Sequence, residues 1–208
     1  MTNLKEESFL NDLNLSLEEA WKLLEQGKKD RHSPLHTLVV ASNDEHGIPS
    51  QRIMVLRSVD FEKRMIQFNS DRRAAKIDQI KKNKFISVLG YHPEAKIQLR
   101  VFGTGEIKTD GAHFEKAWND ASPYGKRCYL ANPGPGQTAA IPSSGLAPEL
   151  EGVKPSEEQL VPAKNNFAIL QIEIDRLEWL YLAHTGHRRA KFSWNEEQQE
   201  WDSQWLVP

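Results

Sequence analysis

Two short stretches of this sequence set positive charge where a bound anion would need it. Arg52 and Arg57 bracket the apolar run Ile53-Met54-Val55-Leu56. Guanidinium groups at the ends of such a strand can hold a phosphate while the apolar middle walls a flat aromatic ligand. Their odd separation puts the two side chains on opposite faces of a regular strand. A single ligand therefore needs a bulge between them, or two separate points of attachment. Further on, Asn69-Ser70-Asp71-Arg72-Arg73-Ala74-Ala75-Lys76 passes from strand to helix. Backbone N–H groups and the positive helix end would there meet two arginines and a lysine, a cradle for phosphate. Taken alone, each arginine is more often a surface residue, and the basic run through Lys81, Lys82 and Lys84 a solvated helix face. Paired, the two stretches point to one anionic ligand.

Other chemistries find less support. The seven histidines are scattered, without H-E-x-x-H or C-x-x-C spacing, so no metal site is expected. No G-x-S-x-G elbow marks a nucleophilic serine, and no G-x-G-x-x-G follows a strand. Cys128 lies beside Lys126 and Arg127, which could lower its pKa, but a neutral single thiol is the simpler reading.

The elements that must position these residues are mostly short strands. Apolar positions Leu17, Ala20, Trp21 and Leu24 predict a helix over 16–26, opened by a Ser16/Glu19 capping box and ended by Gly27. Strands are expected over 36–42, 51–59, 64–69, 85–91 and 96–107, with a turn at 43–47. Helices are expected over 71–82 and 112–120. Ile97, Leu99 and Val101 alternate with Gln98 and Arg100, so one face of that strand is buried; Gly103 and Gly105 mark a bulge or a close backbone approach. Residues 122–163 are rich in Pro and Gly, and strands return at 167–174, 178–183, 188–194 and the C-terminus. Hairpin-linked strands with few helices argue for a mainly β protein with flanking helices, an antiparallel barrel. The whole chain, 1–208, reads as one domain, with 1–30 an N-terminal helical segment and 132–163 a long loop.

Composition sets outer limits. A hydrophobic share of 38% and a charged share of 27% are ordinary for a globular protein. The net charge of −2 gives no global case for nucleic-acid binding, and no run approaches the length of a membrane span. The acidic N-terminus is not expected to be a signal peptide, and one cysteine cannot form an internal disulfide. A cytoplasmic setting is expected.

From about Ser33 to the C-terminus, these residues in this order resemble the pyridoxamine 5'-phosphate oxidase-related FMN-binding proteins. Arg52-Ile53-Met54-Val55-Leu56-Arg57 is similar to the family's arginine-apolar-basic strand, and Ser70 to Lys76 to its T-D-x-R-S-x-K segment. Gln98 to Gly103 is similar to its Q-x-R-x-x-G strand. Ser122-Pro123 with Arg127, the loop at 132–136, Asn166-Phe167 and Gly186 to Phe192 continue the likeness. The resemblance implies a split β-barrel that pairs as a homodimer, with FMN in the cleft between subunits. It assigns Arg52, Arg73 and Lys76 to the phosphate, and Val55 and Leu56 to the ring. Asn69 and Ser70 would lie beside the ribityl-phosphate, Gln98 at the ring's polar edge and Lys191 as a second-subunit contact. Arg57 would also contact the flavin, and with Arg127, His187 and Arg189 would face a small substrate. The sequence departs from the pattern at Ala74, which replaces a serine, at Arg57, which replaces a lysine, and at His187 and Arg189, where an arginine and a histidine are usual. Leu180 stands where the family's tryptophan meets the flavin, with Trp179 pointing the other way. These changes bear on the substrate rather than on the flavin. An FMN-dependent oxidoreductase is expected, the alternatives being a non-catalytic flavin carrier or sensor and a barrel without cofactor.

Overall fold

The computed structural model describes residues 8–208. The first seven residues, on which the reading of the N-terminus as no signal peptide and the start of the 1–30 segment rest, lie outside the described residues. Helix α1 (Leu13–Lys29) begins earlier than its apolar periodicity predicts, because Asp12 rather than Ser16 caps it, accepting from the Leu15 N–H at 3.0 Å. Ser16 lies inside the helix and donates to the Asp12 carbonyl at 2.8 Å. Gly27 does not end the helix. It lies in its last turns, where a Cβ would stand 2.6 Å from the Leu35 carbonyl oxygen.

Six strands close the barrel: β1 (Thr37–Asn43), β2 (Pro49–Asp60), β3 (Met65–Asp71), β4 (Phe85–His92), β5 (Ile97–Lys108) and β6 (Phe167–Tyr181). They run in the order β3-β2-β1-β4-β5-β6, all antiparallel, and the β3–β6 pairing closes the ring. Two more strands, β7 (Arg188–Asn195) and β8 (Glu200–Leu206), extend the sheet beyond β6. Alternate side chains fill the interior, among them Leu38 and Val40, Met54 and Leu56, Ile66 and Phe68, Leu99 and Val101, and α1 adds Trp21 and Leu24 to the same core.

The sequence predicts two strands at 167–174 and 178–183, where the structure has one, β6. Across from β5, Phe102 faces Arg176 and Gly103 faces Ile174, leaving Asp175 as an extra residue. That bulge shifts the alternation by one, so Ile172 and Ile174 before it and Leu177 and Trp179 after it all point inward. The polar pair Asp175-Arg176 mimics a strand break while marking only the bulge. Gly103 makes the close approach expected of it: a Cβ would lie 1.9 Å from the Glu173 carbonyl oxygen.

Helix α2 (Ala75–Lys82) is shorter than the expected 71–82, since Ser70 and Asp71 still pair with Ala168 and Phe167 as strand. Helix α3 (Gly111–Asp120) and the short α4 (Pro123–Arg127) lie outside the barrel. Phe114, Ala117 and Trp118 of α3 pack with Phe167, Ile169 and Ala163 in a second, smaller core separate from the first. The Pro/Gly-rich segment is not wholly irregular, for helical turns form at Pro148–Leu150, Glu157–Leu160 and Val161–Asn166. Among the described residues no helix is long and apolar enough to cross a membrane.

Candidate functional site

The barrel splits where β2 and β3 part. Their ladder runs only from Leu56–Phe68 to Asp60–Met65. Beyond it, Arg52 to Val55 pair with β1 alone and Asn69 to Asp71 with β6 alone. The gap widens into a cleft of about 870 Å³, walled by β2, β3, α2 and α3 and by residues 121–129. Arg52, Val55, Leu56, Arg57, Asn69, Ser70 and Lys76 all line it, so seven of the ten residues expected at the flavin meet in one place.

The sequence left open how Arg52 and Arg57 could serve one ligand. Leu56 pairs with Phe68 and Ser58 with Gln67, so Arg57 is the extra residue of a bulge. Arg52 stands at one end of the cleft, against α2. Arg57 stands on the outward face with Ile53 and Val55, so the two arginines serve different ends. Leu56 contributes backbone only, as its side chain is wholly buried in the barrel.

At the Arg52 end lies uncompensated positive charge. Arg52 donates only to neutral oxygens, among them Ser42 Oγ at 2.8 Å and Ser50 Oγ at 3.0 Å. Lys76 Nζ reaches Ser70 Oγ at 3.4 Å. Burial, with the Arg52 charge beside it, lowers the Lys76 ammonium below the ordinary lysine value against a weaker pull from Asp71. Burial likewise lowers Arg52. Two half-buried cations side by side, with no carboxylate on either among the described residues, form an anion site. Ala74, at the start of α2, makes no side-chain cap, which leaves that helix end free to join them. Asn69 Oδ1 is buried in the cleft wall without a hydrogen-bond partner among the described residues. An orphaned acceptor beside two free cations fits the polar ribityl-phosphate tail of FMN, and the apolar Ile53 and Val55 fit its ring.

Arg73, expected at the phosphate, is not brought there. Its Nε and Nη2 hold the two oxygens of Asp71 at 2.9 and 2.6 Å, and its Nη1 holds the Ala131 carbonyl at 2.8 Å. The Asp71 hydrogen bond raises its pKa, so its charge is matched inside the protein. Arg127 is also turned away: it ties down the long loop through the carbonyls of Leu150 at 2.9 Å and Val153 at 2.6 Å. Neither role is visible in sequence, because each depends on a carbonyl contributed by an irregular segment.

Gln98 and Lys191 lie outside this cleft, on the outward face of the sheet. There Ile53, Val39, Leu89, Arg100, Glu178 and Lys191 stand in register across six strands, with Tyr91, Gln98, Leu180 and Arg189 in the next row. Glu178 gathers Arg189 at 2.8 Å and Arg100 at 3.0 Å. Burial alone would raise its carboxyl, but the Arg189 hydrogen bond and the charges of Arg100, Arg189 and Arg176 hold it below the usual range. His187 and Arg189 line a smaller hollow of about 380 Å³ with Leu10 and the C-terminal Trp205 to Pro208. Trp179 is wholly buried and points inward, while Leu180 is on the outer face, as the sequence implies.

Sequence reasoning missed His113, Lys116 and Asp120 of α3 and Tyr129, all of which line the cleft. The α3 residues read as an ordinary solvated helix face, and Tyr129 lies in a segment without periodicity. Its ring is fixed edge-on against Phe167 at 5.0 Å, and burial raises its hydroxyl well above the ordinary tyrosine range. Cys128 also lines the cleft and is exposed, but Lys126 is drawn away over the Trp118 ring at 5.2 Å. Among the described residues no three His, Cys, Asp or Glu side chains gather as a metal site would require.

Residues 17–109 match the family model described as pyridoxamine 5'-phosphate oxidase, FMN-binding domain. The chain is 31% identical over 149 residues to pyridoxine/pyridoxamine 5'-phosphate oxidase 2 of Arabidopsis thaliana, covering 62% of this chain and 75% of that protein. It superposes with a TM-score of 0.72 on a pyridoxamine 5'-phosphate oxidase-related, FMN binding protein from Nostoc punctiforme, at 25% identity over 92% of this chain and 96% of that one. PhzG from Burkholderia lata, solved in complex with tetrahydrophenazine-1-carboxylic acid, shares the fold with a TM-score of 0.68 at 16% identity, over 97% of this chain and 96% of that one. With a split barrel whose cleft sets two free cations above an apolar strand, the chain belongs to the pyridoxamine 5'-phosphate oxidase-related family of FMN-binding proteins, and FMN is its cofactor.

Proposed function

We propose that this protein is an FMN-dependent oxidoreductase that works as a homodimer on a small anionic or phosphorylated substrate. The observation that carries the reading is the pair Arg52 and Lys76 at the head of the cleft, both half-buried and, among the described residues, free of carboxylates. They would hold the FMN phosphate, with Ser70 and Asn69 beside the ribityl chain and Val55 against the ring. FMN, when bound, supplies the hydride acceptor. The protein's part is to bind and orient, since among the described residues the cleft offers no free carboxylate as a base: Asp71 is held by Arg73, and Asp120 by Lys116 at 2.9 Å. Arg57, which lines the cleft without a carboxylate partner among the described residues, favours an anionic substrate. The Arabidopsis relative is named for phosphorylated substrates, which supports the same class.

The dimer reading rests on the outward sheet face. Ile53 is 71% exposed there, with Phe85, Leu89 and Tyr91 also exposed on β4. Ile53 and Val55 belong both to this face and to the cleft, so a second copy covering the face would also close the cleft. It would carry in the partner subunit's Gln98 and the partner subunit's Lys191. A cytoplasmic setting fits the one cysteine, unpaired and exposed.

The test is anaerobic absorbance spectroscopy of the FMN-loaded protein with pyridoxamine 5'-phosphate, pyridoxine 5'-phosphate and their unphosphorylated forms. Bleaching of the flavin band by the phosphorylated compounds supports the reading. A protein that binds FMN but is bleached by no anionic donor is a carrier or sensor instead.

A further inference from the structure

Arg52 donates four hydrogen bonds within the protein, and every acceptor is neutral. Nη1 reaches the Val40 carbonyl at 3.2 Å and Ser42 Oγ at 2.8 Å; Nη2 reaches Ser50 Oγ at 3.0 Å and Gln79 Oε1 at 3.0 Å. Ser42, itself buried, donates its own proton to the same Gln79 oxygen at 2.8 Å. Two donors converging on one atom fix which end of the amide faces Arg52. Gln79 sits one turn beyond Lys76 on α2, so the helix that supplies one cation also grips the other.

We propose that Gln79, seated on Ser42, is a positioning residue that holds the Arg52 guanidinium without neutralising it, and thereby makes the cleft select a phosphorylated flavin over an unphosphorylated one. The inference rests on the reading that the FMN phosphate lies at Arg52 and Lys76. Arg73, just before α2, shows the contrast: pinned by the Asp71 carboxylate, its charge is already matched. A carboxylate at position 79 would grip Arg52 as firmly and cancel the charge an incoming phosphate needs. A methyl group there would leave the charge and release the geometry. Only a neutral acceptor of this length does both tasks.

The experiment titrates FMN and riboflavin separately into the full-length protein, reading the quenching of flavin fluorescence. Wild type is compared with Gln79→Glu, Gln79→Ala and Ser42→Ala, with a thermal midpoint for each. Wild type is expected to bind FMN about a hundredfold or more tighter than riboflavin. Equal affinities would overturn the phosphate reading before any variant is considered. Given that preference, Gln79→Glu is expected to keep its riboflavin affinity and thermal midpoint while the preference for FMN falls about tenfold or more. Gln79→Ala is expected to lose preference similarly. Ser42→Ala, which removes one hydroxyl, should lose a smaller part and serves if a Gln79 variant fails to fold. A wild-type preference in the folded variants would overturn the role of Gln79 and leave the phosphate site standing. Equal loss of FMN and riboflavin affinity would overturn it too, as the mark of general damage.

Discussion

Asp71 and Arg73, two residues apart, are locked face to face, guanidinium on carboxylate, with Asp71 Oδ1 also accepting the Arg73 backbone N–H at 2.9 Å. The lock keeps a buried carboxylate from turning to Lys76, whose ammonium already feels it. Removing Arg73 should therefore weaken FMN binding without removing a phosphate contact. We expect Arg73→Ala to lower FMN affinity about tenfold, or ~1.4 kcal/mol. The double variant Arg73→Ala with Asp71→Asn should recover most of that loss. A double variant as weak as the single one would place Arg73 on the phosphate directly.

The lowered Lys76 pKa gives FMN binding an alkaline limit. Only the ammonium attracts phosphate, and burial beside Arg52 makes it deprotonate below the ordinary lysine value. Affinity for FMN should be steady near neutrality and fall as pH rises through that lowered value. Riboflavin affinity should not follow, and Lys76→Met should flatten the curve. In the unliganded fold the sign reverses: the unfolded chain holds the proton more tightly, so stability rises with pH between the lowered value and the ordinary one. Isothermal titration at stepped pH, with chemical denaturation of the apoprotein, reads both effects.

Glu178 holds three arginines on the outer face, and its carboxyl is largely buried with pKa held low. Its contribution is present above the ordinary glutamate pKa and is lost as pH falls through the lowered one. Glu178→Ala should cost about 1–3 kcal/mol at neutral pH in urea unfolding. A smaller cost at neutral pH than at acid pH would contradict the assignment.

The exposed face at Ile53 and Leu89 should be the dimer contact. A double substitution of Ile53→Glu and Leu89→Glu, both on outward positions, should yield a folded monomer in sedimentation velocity and lower FMN affinity together. A dimer that persists would move the interface elsewhere.

Gly103 should tolerate no side chain, because the neighbour a Cβ would strike is the Glu173 backbone rather than a flexible side chain. Gly103→Ala should destabilise by well over the about 1 kcal/mol of an average substitution, in the same denaturation assay.

Much of this was legible in the chain because local rules and the fold agree. The alternation through Ile97, Leu99 and Val101 gives the inward face of β5 directly, and Gly103 announces the close approach beside the β6 bulge. The cleft residues on β2, β3 and α2 were found because each is set by its own strand or helix. What the chain does not show by itself is set by contacts between segments distant in sequence. Arg73 and Arg127 are engaged by carbonyls from the long loop, and Tyr129 reaches the cleft only because Phe167 and Trp118 hold its ring. Asp175 reads as a break unless β5 is laid beside it.

The separate small core under α3 implies a division of cooperative units. The barrel and α1 share one apolar cluster, while Phe114, Trp118 and Phe167 hold the opposite wall of the cleft with another. A wall with its own few anchors can come loose at less cost than global unfolding. Backbone amides of α3 should then exchange with deuterated solvent sooner than those of β5. Flavin bridging the two walls should slow α3 more than the barrel, making amide protection there a gauge of cofactor occupancy.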